Sequence, residues 1–438
     1  MKLFLLVLCL VGNTWAQEWS VLLETASLTI YMDDTVGVPF SVTIPKNTGI
    51  STINLAINNS DAEVVAINAP KFYSNENNGE TWNSTINITG LFIGKSRISL
   101  SFSNKKNAVV SDELDITVIR AHRLIDTLFT ASVAILVSIL YINFGCAMDW
   151  GVCRDTLRRP VGIAVGAFCQ FVIMPLIGYA LGQLLFSDRP EMQIGIFFTG
   201  ISPSGGASNI WTVLLGGNIN LSVTMTTLGT IASFATMPIW IFSLGKQIFD
   251  KGNLVVPYSR IAFLAVGLII PLSLGYIIQK KMPKLCRVLV RIMKPFSGIL
   301  ILFIVIFAIV TNLYLFKLFS WKIVVSGMGL AWIGYICGYI AMIVFKQPKM
   351  DVRAIAIETG IQNTGIAIFL LRFSLTQPGA DLTTVIPVSC AIMTPIPLAV
   401  FWLIKLVYDR RKKKHAASME KLQKIAEPIN AITPTVLY

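Results

Sequence analysis

Glu358-Thr359-Gly360-Ile361-Gln362-Asn363-Thr364-Gly365 stands in the middle of a stretch, 352–373, that is otherwise apolar enough to cross a bilayer. A carboxylate at membrane depth costs about 3 kcal/mol or more when it is unpaired. The glycines on either side of Gln362-Asn363 interrupt the helix beside that carboxylate. Unpaired backbone groups are so costly in hydrocarbon that a broken helix survives only against protein or a polar cavity. A second apolar stretch, 192–216, carries the same device as Gly200-Ile201-Ser202-Pro203-Ser204-Gly205-Gly206-Ala207-Ser208-Asn209. The two interruptions predict an all-α polytopic membrane protein built around a pair of broken helices.

Composition agrees. Of 438 residues, 54% are hydrophobic and 13% charged, with a mean hydropathy of +0.68; a soluble domain carries about 25% charged residues. From Leu124 onward nine apolar segments follow one another, at 124–147, 160–186, 192–216, 219–246, 258–279, 294–315, 322–345, 352–373 and 382–407. Each approaches the roughly 20 residues that a bilayer requires. The net charge of +13 points away from nucleic acid, because the basic residues gather in alternate loops and in one terminal run. Loops after odd-numbered segments hold Arg154, Arg158 and Arg159, then almost nothing, then Lys280 to Arg291, then Lys346 to Arg353, then Arg410 to Lys414. The opposite loops hold fewer, partly balanced by Asp188, Glu191 and Asp250. Positive charge marks the cytoplasmic side, so the N-terminus is expected outside and the C-terminus inside, in the plasma membrane.

Residues 1–16 have the positive start, short apolar core and small final residue of a signal peptide. Residues 17–122 differ from everything after them. Short alternating runs at 27–31, 40–44, 53–57, 96–101 and 114–119 are separated by Gly, Pro, Asn and Asp, which predicts a small β-rich, sandwich-like extracellular domain. Glycosylation sequons begin at Asn58, Asn83 and Asn87; another, at Asn220, reads as lying at membrane depth. The transporter domain is expected at 123–408 and a cytoplasmic tail at 409–438. Outside the signal peptide the cysteines are Cys146, Cys153, Cys169, Cys286, Cys337 and Cys390, all in or beside apolar segments without metal-ligand spacing, so packing is their expected role.

Glu358 is the only acid deep within the nine segments as drawn. It must be protonated, paired or bound to a cation. Arg353 is the nearest base in sequence, so a structural ion pair is one reading. A cation is the better one, because oxygen donors crowd the same places: Ser208, Asn209, Ser222, Thr226, Gln362 and Asn363. Ser222 and Thr226 are four residues apart and share a helix face. Hard cations take hydroxyl, amide and carboxylate oxygen, and unwound backbone adds the carbonyls that a continuous helix has used up. The interrupted segments are the third and the eighth. An odd offset of five gives them opposite orientation, so segments one to four read as inverted mates of six to nine. Gly145, Gly162 and Gly166 are expected to serve helix packing.

These motifs, with Phe144-Gly145-Cys146-Ala147-Met148-Asp149, Cys169-Gln170-Phe171, Met174-Pro175-Leu176, Asn220-Leu221-Ser222 and Met225-Thr226-Thr227, resemble the sodium/bile acid cotransporter family over about 124–407. The resemblance implies a panel domain of helices one, five and six, and a core domain of the others, with the broken helices crossing at mid-membrane. It also implies two sodium sites. One would use Ser208, Asn209, Ser222, Thr226 and Glu358; the other would use Glu358, Gln362 and Gln170 with backbone carbonyls. An organic anion of the bile acid or sulfated steroid class would bind between panel and core and move by alternating access. The implied partners are sodium, that anion and the lipid bilayer, with no nucleic acid and no organic cofactor. The sequence departs from better-known members at Ser202-Pro203-Ser204-Gly205, where those are richer in cysteine and glycine, and in its ectodomain. A non-transporting receptor or scaffold acting through the ectodomain is the alternative. An enzyme is not expected: the only histidines are His122 and His415, and the sequence has no nucleophile triad, metal-ligand motif or phosphate loop.

Overall fold

The computed structural model describes residues 20–43, 54–68, 82–103, 108–121, 123–158, 160–252, 254, 256–291 and 319–411. The expected signal peptide, the sixth apolar segment and the tail beyond Arg411 lie outside the described residues. The chain divides into two compact units, Met1–Arg123 with Gln377–Gly379, and Leu124–Thr376 with Ala380–Tyr438.

The first unit is a sandwich of two sheets. Strands β1 (Ser20–Leu23), β3 (Thr35–Thr43), β6 (Trp82–Gly90) and β5 (Val65–Asn68) form one, in the order β1-β3-β6-β5. Strands β2 (Ser27–Tyr31), β9 (Leu114–Ile119), β7 (Gly94–Ser103) and β4 (Asn54–Asn59) form the other, in the order β2-β9-β7-β4, with β8 (Ala108–Val110) also on β7. The β2–β9 pair is parallel and the remaining pairs are antiparallel. This is an immunoglobulin-like order, an A-B-E-D sheet over a C-F-G sheet, with the first strand divided between them. Inward residues alternate along each strand and close one core, in which Phe40, Val42, Ile86, Ile88, Leu100, Phe102 and Leu114 are buried. The Phe40 and Phe102 rings lie 5.9 Å apart across it.

The alternating runs read from sequence fall on β2, β3, β4, β7 and β9. Missed were β1, β5, β6 and β8. In β6, Trp82-Asn83-Ser84-Thr85-Ile86-Asn87-Ile88-Thr89-Gly90, only Ile86 and Ile88 are fully buried hydrophobics. Its polar alternation reads as turn chemistry until a sheet places it at the centre. Asn58, on β4, and Asn83 and Asn87, on β6, all have exposed side chains.

The second unit is helical. Its elements are α1 (Leu124–Ala147), α2 (Trp150–Leu157), α3 (Pro160–Leu185), α4 (Pro190–Ile201), α5 (Ala207–Leu215), α6 (Ile219–Lys251), α7 (Tyr258–Lys281), α8 (Trp321–Val344), α9 (Lys349–Gly360), α10 (Thr364–Ser374) and α11 (Gly379–Arg411). Residues 283–291 are also helical. Among the described residues, six helices are long and apolar enough to cross a membrane: α1, α3, α6, α7, α8 and α11. The two interrupted segments are the pairs α4–α5 and α9–α10. The basic stretch between α1 and α3 is not a bare loop; α2 occupies it, started by Asp149, whose side chain accepts from the Val152 N–H. Asn220, read as lying at membrane depth, sits in the first turn of α6 and is exposed.

Small residues let these helices approach. A Cβ on Gly145 of α1 would lie 2.2 Å from the Leu272 carbonyl oxygen of α7, and one on Gly275 of α7 would lie 2.1 Å from the Ile142 oxygen. Gly166 likewise faces Ile355 and Met225 at under 3 Å, with Gly162 packed more loosely against Leu221. The six described cysteines are free thiols, buried or half-buried.

Candidate cation site at the crossing of two broken helices

Backbone chemistry fixes the crossing. Past Ile201 the chain cannot stay helical, because Pro203 lacks an N–H and disfavours the α region for Ser202. Past Gly360 it runs extended at Ile361. The two opened strands then pair with each other: Asn363 N–H donates to the Pro203 oxygen at 2.8 Å, and Gly205 N–H donates to the Ile361 oxygen at 3.0 Å. Ser204 and Gln362 face each other between these bonds as an isolated antiparallel bridge. Donors and carbonyls released by the breaks are thereby partly satisfied. Gly205 lets the two strands approach closely, since a Cβ there would lie 3.1 Å from the Gln362 oxygen.

Glu358, 3% exposed, is the last charged residue before the second break. Ser208 of α5 donates to its Oε1 at 2.7 Å, Thr226 of α6 reaches Oε1 at 2.9 Å and Oε2 at 3.1 Å, and Ser222 of α6 also donates to Oε1. Asn209 completes the cluster, its Oδ1 accepting from Ser222 at 2.8 Å and its Nδ2 lying 3.3 Å from Thr226 Oγ1. Helical spacing explains why Ser222 and Thr226 arrive together. Each hydroxyl has one proton, so the three cannot satisfy every oxygen gathered here. The cluster gathers three hydroxyls and an amide around one carboxylate.

Gln170 and Gln362 form a second cluster on the other side of the crossing. Gln170 sits in a π turn, Cys169–Ile173, within α3, a distortion that often re-aims a side chain at a functional site. Pro175 beyond it has no N–H for the Phe171 oxygen, and the Trp240 indole N–H donates there instead at 2.7 Å. Gln170 Nε2 donates to the Ser202 oxygen at 2.8 Å and to Gln362 Oε1 at 2.9 Å, while Gln362 Nε2 donates to the Thr359 oxygen at 2.8 Å. Gln170 Oε1 and Ser204 Oγ are buried without a hydrogen bond of ordinary geometry, Ser204 standing beside the Glu358 carboxylate. Orphaned buried oxygens beside a carboxylate fit a hard monovalent cation. Among the described residues there is no grouping of three His, Cys, Asp or Glu that would suit a transition metal.

All seven residues expected to hold cations are thus brought together: Ser208, Asn209, Ser222, Thr226 and Glu358 around one carboxylate, Gln170 and Gln362 beside it. The ion-pair reading of Glu358 fails. Arg353 Nη1 instead donates to the Leu215 and Gly216 oxygens, at 3.4 and 3.1 Å, at the C-terminus of α5. Lys405 adds a bond to the Leu214 oxygen at 3.0 Å. Asn363, counted among the oxygen donors from sequence, is committed elsewhere, since its Oδ1 caps α10 by accepting from Ile366 N–H at 3.2 Å. Nor is Glu358 the only buried acid. Asp381 is 0% exposed and pairs with Arg372 at 2.7 Å. It lay one residue outside the ninth apolar segment as drawn, and the nearby Arg372 was the available signal.

A cavity of about 370 Å³ adjoins the first cluster. Phe144 and Ala147 of α1 and Leu272 of α7 line one side; Asn209 and Val213 of α5 and Thr226 and Thr230 of α6 line the other. Its walls are mostly apolar, with a few amide and hydroxyl groups converging.

The chain is similar to proteins of known family. A family model described as the Sodium Bile acid symporter family matches residues 134–318. The ileal sodium/bile acid cotransporter of Cricetulus griseus is 30% identical over 304 residues, covering 68% of this chain and 85% of the relative. The chain belongs to the sodium/bile acid symporter family. Other relatives are similar: the sodium-dependent organic anion transporter of Homo sapiens is 28% identical, covering 68% of this chain and 78% of its own. The P3 protein of Homo sapiens is 28% identical, covering 59% of this chain and 54% of its own. Proteins of the sodium/bile acid symporter family are transporters rather than enzymes, with sodium as coupling ion and no organic cofactor. With six helices long and apolar enough to cross a membrane among the described residues, this member is an integral membrane protein.

Proposed function

We propose that the protein is a sodium-coupled symporter of an organic anion of the bile acid or sulfated steroid class, working by alternating access. The observation that carries this reading is the Glu358 carboxylate, buried under three hydroxyls with no cationic side chain paired to it among the described residues. One sodium ion would be held by Ser208, Asn209, Ser222, Thr226 and Glu358, and a second by Glu358, Gln362 and Gln170 with backbone carbonyls. Neutralising the carboxylate with a cation removes the penalty of a lone buried charge. The same ion would hold α5, α6 and α9 together.

The amphipathic anion would occupy the cavity between α1 and α7 on one side and α5 and α6 on the other. Thr226 and Asn209 belong both to that wall and to the cation cluster, so ion and anion occupancy are coupled through shared side chains. Nine spanning helices, with helices one to four inverted against six to nine, account for the two matched interruptions. Charge distribution puts Ala147, Ile219 and Val290, all lining the cavity, at the cytoplasmic end. At the opposite end α10 packs on α1 and α7, and Arg260 Nη1 of α7 lies 3.4 Å from the Ser374 oxygen. This arrangement fits the inward-facing state of the cycle.

The energetics suffice. Two sodium ions each descending a tenfold gradient supply about 2.8 kcal/mol. One net charge moving with a monoanion adds roughly 2.3 kcal/mol per 100 mV. Together they support accumulation of about a thousandfold or more. Family membership gives no support to a receptor or scaffold.

The test is uptake of labelled bile acids and sulfated steroids by cells with the protein at their surface, in sodium and in choline buffer, with Glu358→Gln alongside. Uptake that requires sodium and is lost in the variant is expected. Sodium-independent uptake that survives the substitution would sink the mechanism.

A further inference from the structure

We propose that the Ser204 hydroxyl is a ligand of the second sodium ion and sets the affinity of that site. The inference rests on the coupling reading above and assigns a further oxygen to it.

Three observations converge on this side chain. First, Ser204 and Gln362 are partners in the bridge at the crossing, and the hydrogen bonds that bracket them run between their neighbours, Asn363 to Pro203 and Gly205 to Ile361. In such a non-hydrogen-bonded antiparallel pair the two side chains lie close together on the same face. The backbone therefore carries the Ser204 hydroxyl to the face that holds the Gln362 amide. Secondly, Ser204 is 4% exposed, and its Oγ lies beside the Glu358 carboxylate without a hydrogen bond of ordinary geometry to it or to any other group. Serine hydroxyls rotate freely to find partners, so a buried one that stands near a carboxylate without closing a well-formed bond to it marks a place where a further group fits between them. Thirdly, Gln170 Oε1 is orphaned in the same neighbourhood, while Gln170 Nε2 is fixed by bonds to the Ser202 oxygen and Gln362 Oε1. That amide is oriented by its nitrogen and presents its oxygen to the site.

Two neutral oxygens with lone pairs unused, next to a carboxylate, constitute a set that a monovalent cation satisfies and a proton does not. A single proton on Glu358 would serve one of them at most. Thr359 Oγ1 is also unpartnered, but it faces α8, where a Cβ on Gly338 would lie 2.9 Å from it, so it belongs to helix packing. Ser204 differs in lying on the crossing itself. It is supplied by the unwound segment, so its position moves with the break rather than with a helix. A hydroxyl there can close on the ion only when the two broken segments are paired. Sodium at the second site and the bridge between the breaks thus stabilise each other.

The experiment uses the purified full-length protein in detergent. Its thermal unfolding midpoint is followed against sodium chloride at constant ionic strength with choline chloride, for wild type, Ser204→Ala, Ser204→Gly, Ser204→Thr and Glu358→Gln. Wild type is expected to gain stability with sodium and Glu358→Gln to lose that response. Ser204→Ala should raise the half-saturating sodium concentration roughly three- to tenfold, the scale of one lost polar contact, with its midpoint in choline unchanged. Ser204→Thr, which keeps the hydroxyl, should titrate close to wild type. If Ser204→Ala and Ser204→Gly both titrate as wild type while Glu358→Gln is silent, the role of Ser204 is overturned and the coupling reading stands. If wild type itself does not respond to sodium, the coupling reading falls and this proposal with it.

Discussion

Thr226 is the residue on which most of the site depends. Its single hydroxyl touches both Glu358 oxygens, lies 3.3 Å from the Asn209 amide and bonds back to the Ser222 carbonyl at 3.0 Å. Thr226→Val keeps the shape and removes the oxygen. It is expected to raise the sodium concentration for half-maximal uptake by roughly tenfold, the scale of one charge-assisted contact. Sodium dependence of initial uptake rates checks it, and an unchanged curve would remove Thr226 from the site. At this scale the sequence was informative where residue type and helical spacing suffice. Glu358 stood out because a carboxylate in an apolar stretch is costly, and Ser222 with Thr226 because they are four apart. Asn363 was misjudged because its type is equally suited to capping a helix, and only the geometry of α10 shows which role it takes.

Helical elements were legible and their local irregularities were not. Glycine and proline announced both breaks, but nothing in Cys169-Gln170-Phe171-Val172-Ile173 signals the π turn that aims Gln170. Pro175, two residues beyond it, frees the Phe171 oxygen, but the Trp240 indole that takes that oxygen is remote in sequence. Strand β6 was missed for a related reason, since its two isoleucines acquire meaning only between β3 and β5. The close crossing of α1 and α7 tests the packing account. At Gly145 and Gly275 backbone meets backbone, with no flexible side chain able to yield. Gly145→Leu is therefore expected to destabilise the protein by about 1–3 kcal/mol or more. A lowered unfolding midpoint in detergent checks this, and an unchanged midpoint would show that the two helices separate freely.

Across the whole molecule, the order of apolar segments made the helical membrane class legible, and the asymmetry of basic loops adds an expected orientation. The sandwich supplies a direct test of that orientation. Asn58, Asn83 and Asn87 are exposed on strands rather than hidden in the core, so each is sterically open to glycosylation. Replacing each with Gln should remove one glycan and shift the expressed protein on a gel, whereas Asn220→Gln, expected to lie away from the extracellular side, should change nothing. Loss of a glycan on Asn220→Gln would invert the topology. Substrate class was beyond the reach of residue pattern, because apolar cavity walls with a few hydroxyls accept many amphipathic anions.

The central claim is that sodium and an organic anion move together through the site at Glu358. Reconstituting the protein in liposomes and measuring entry of radiolabelled sodium, with and without a bile acid or sulfated steroid outside, tests it most directly. The anion should drive sodium entry, and Glu358→Gln should abolish the increment. Anion entry at the same rate in choline, with no sodium movement beyond that of empty liposomes, would contradict the account.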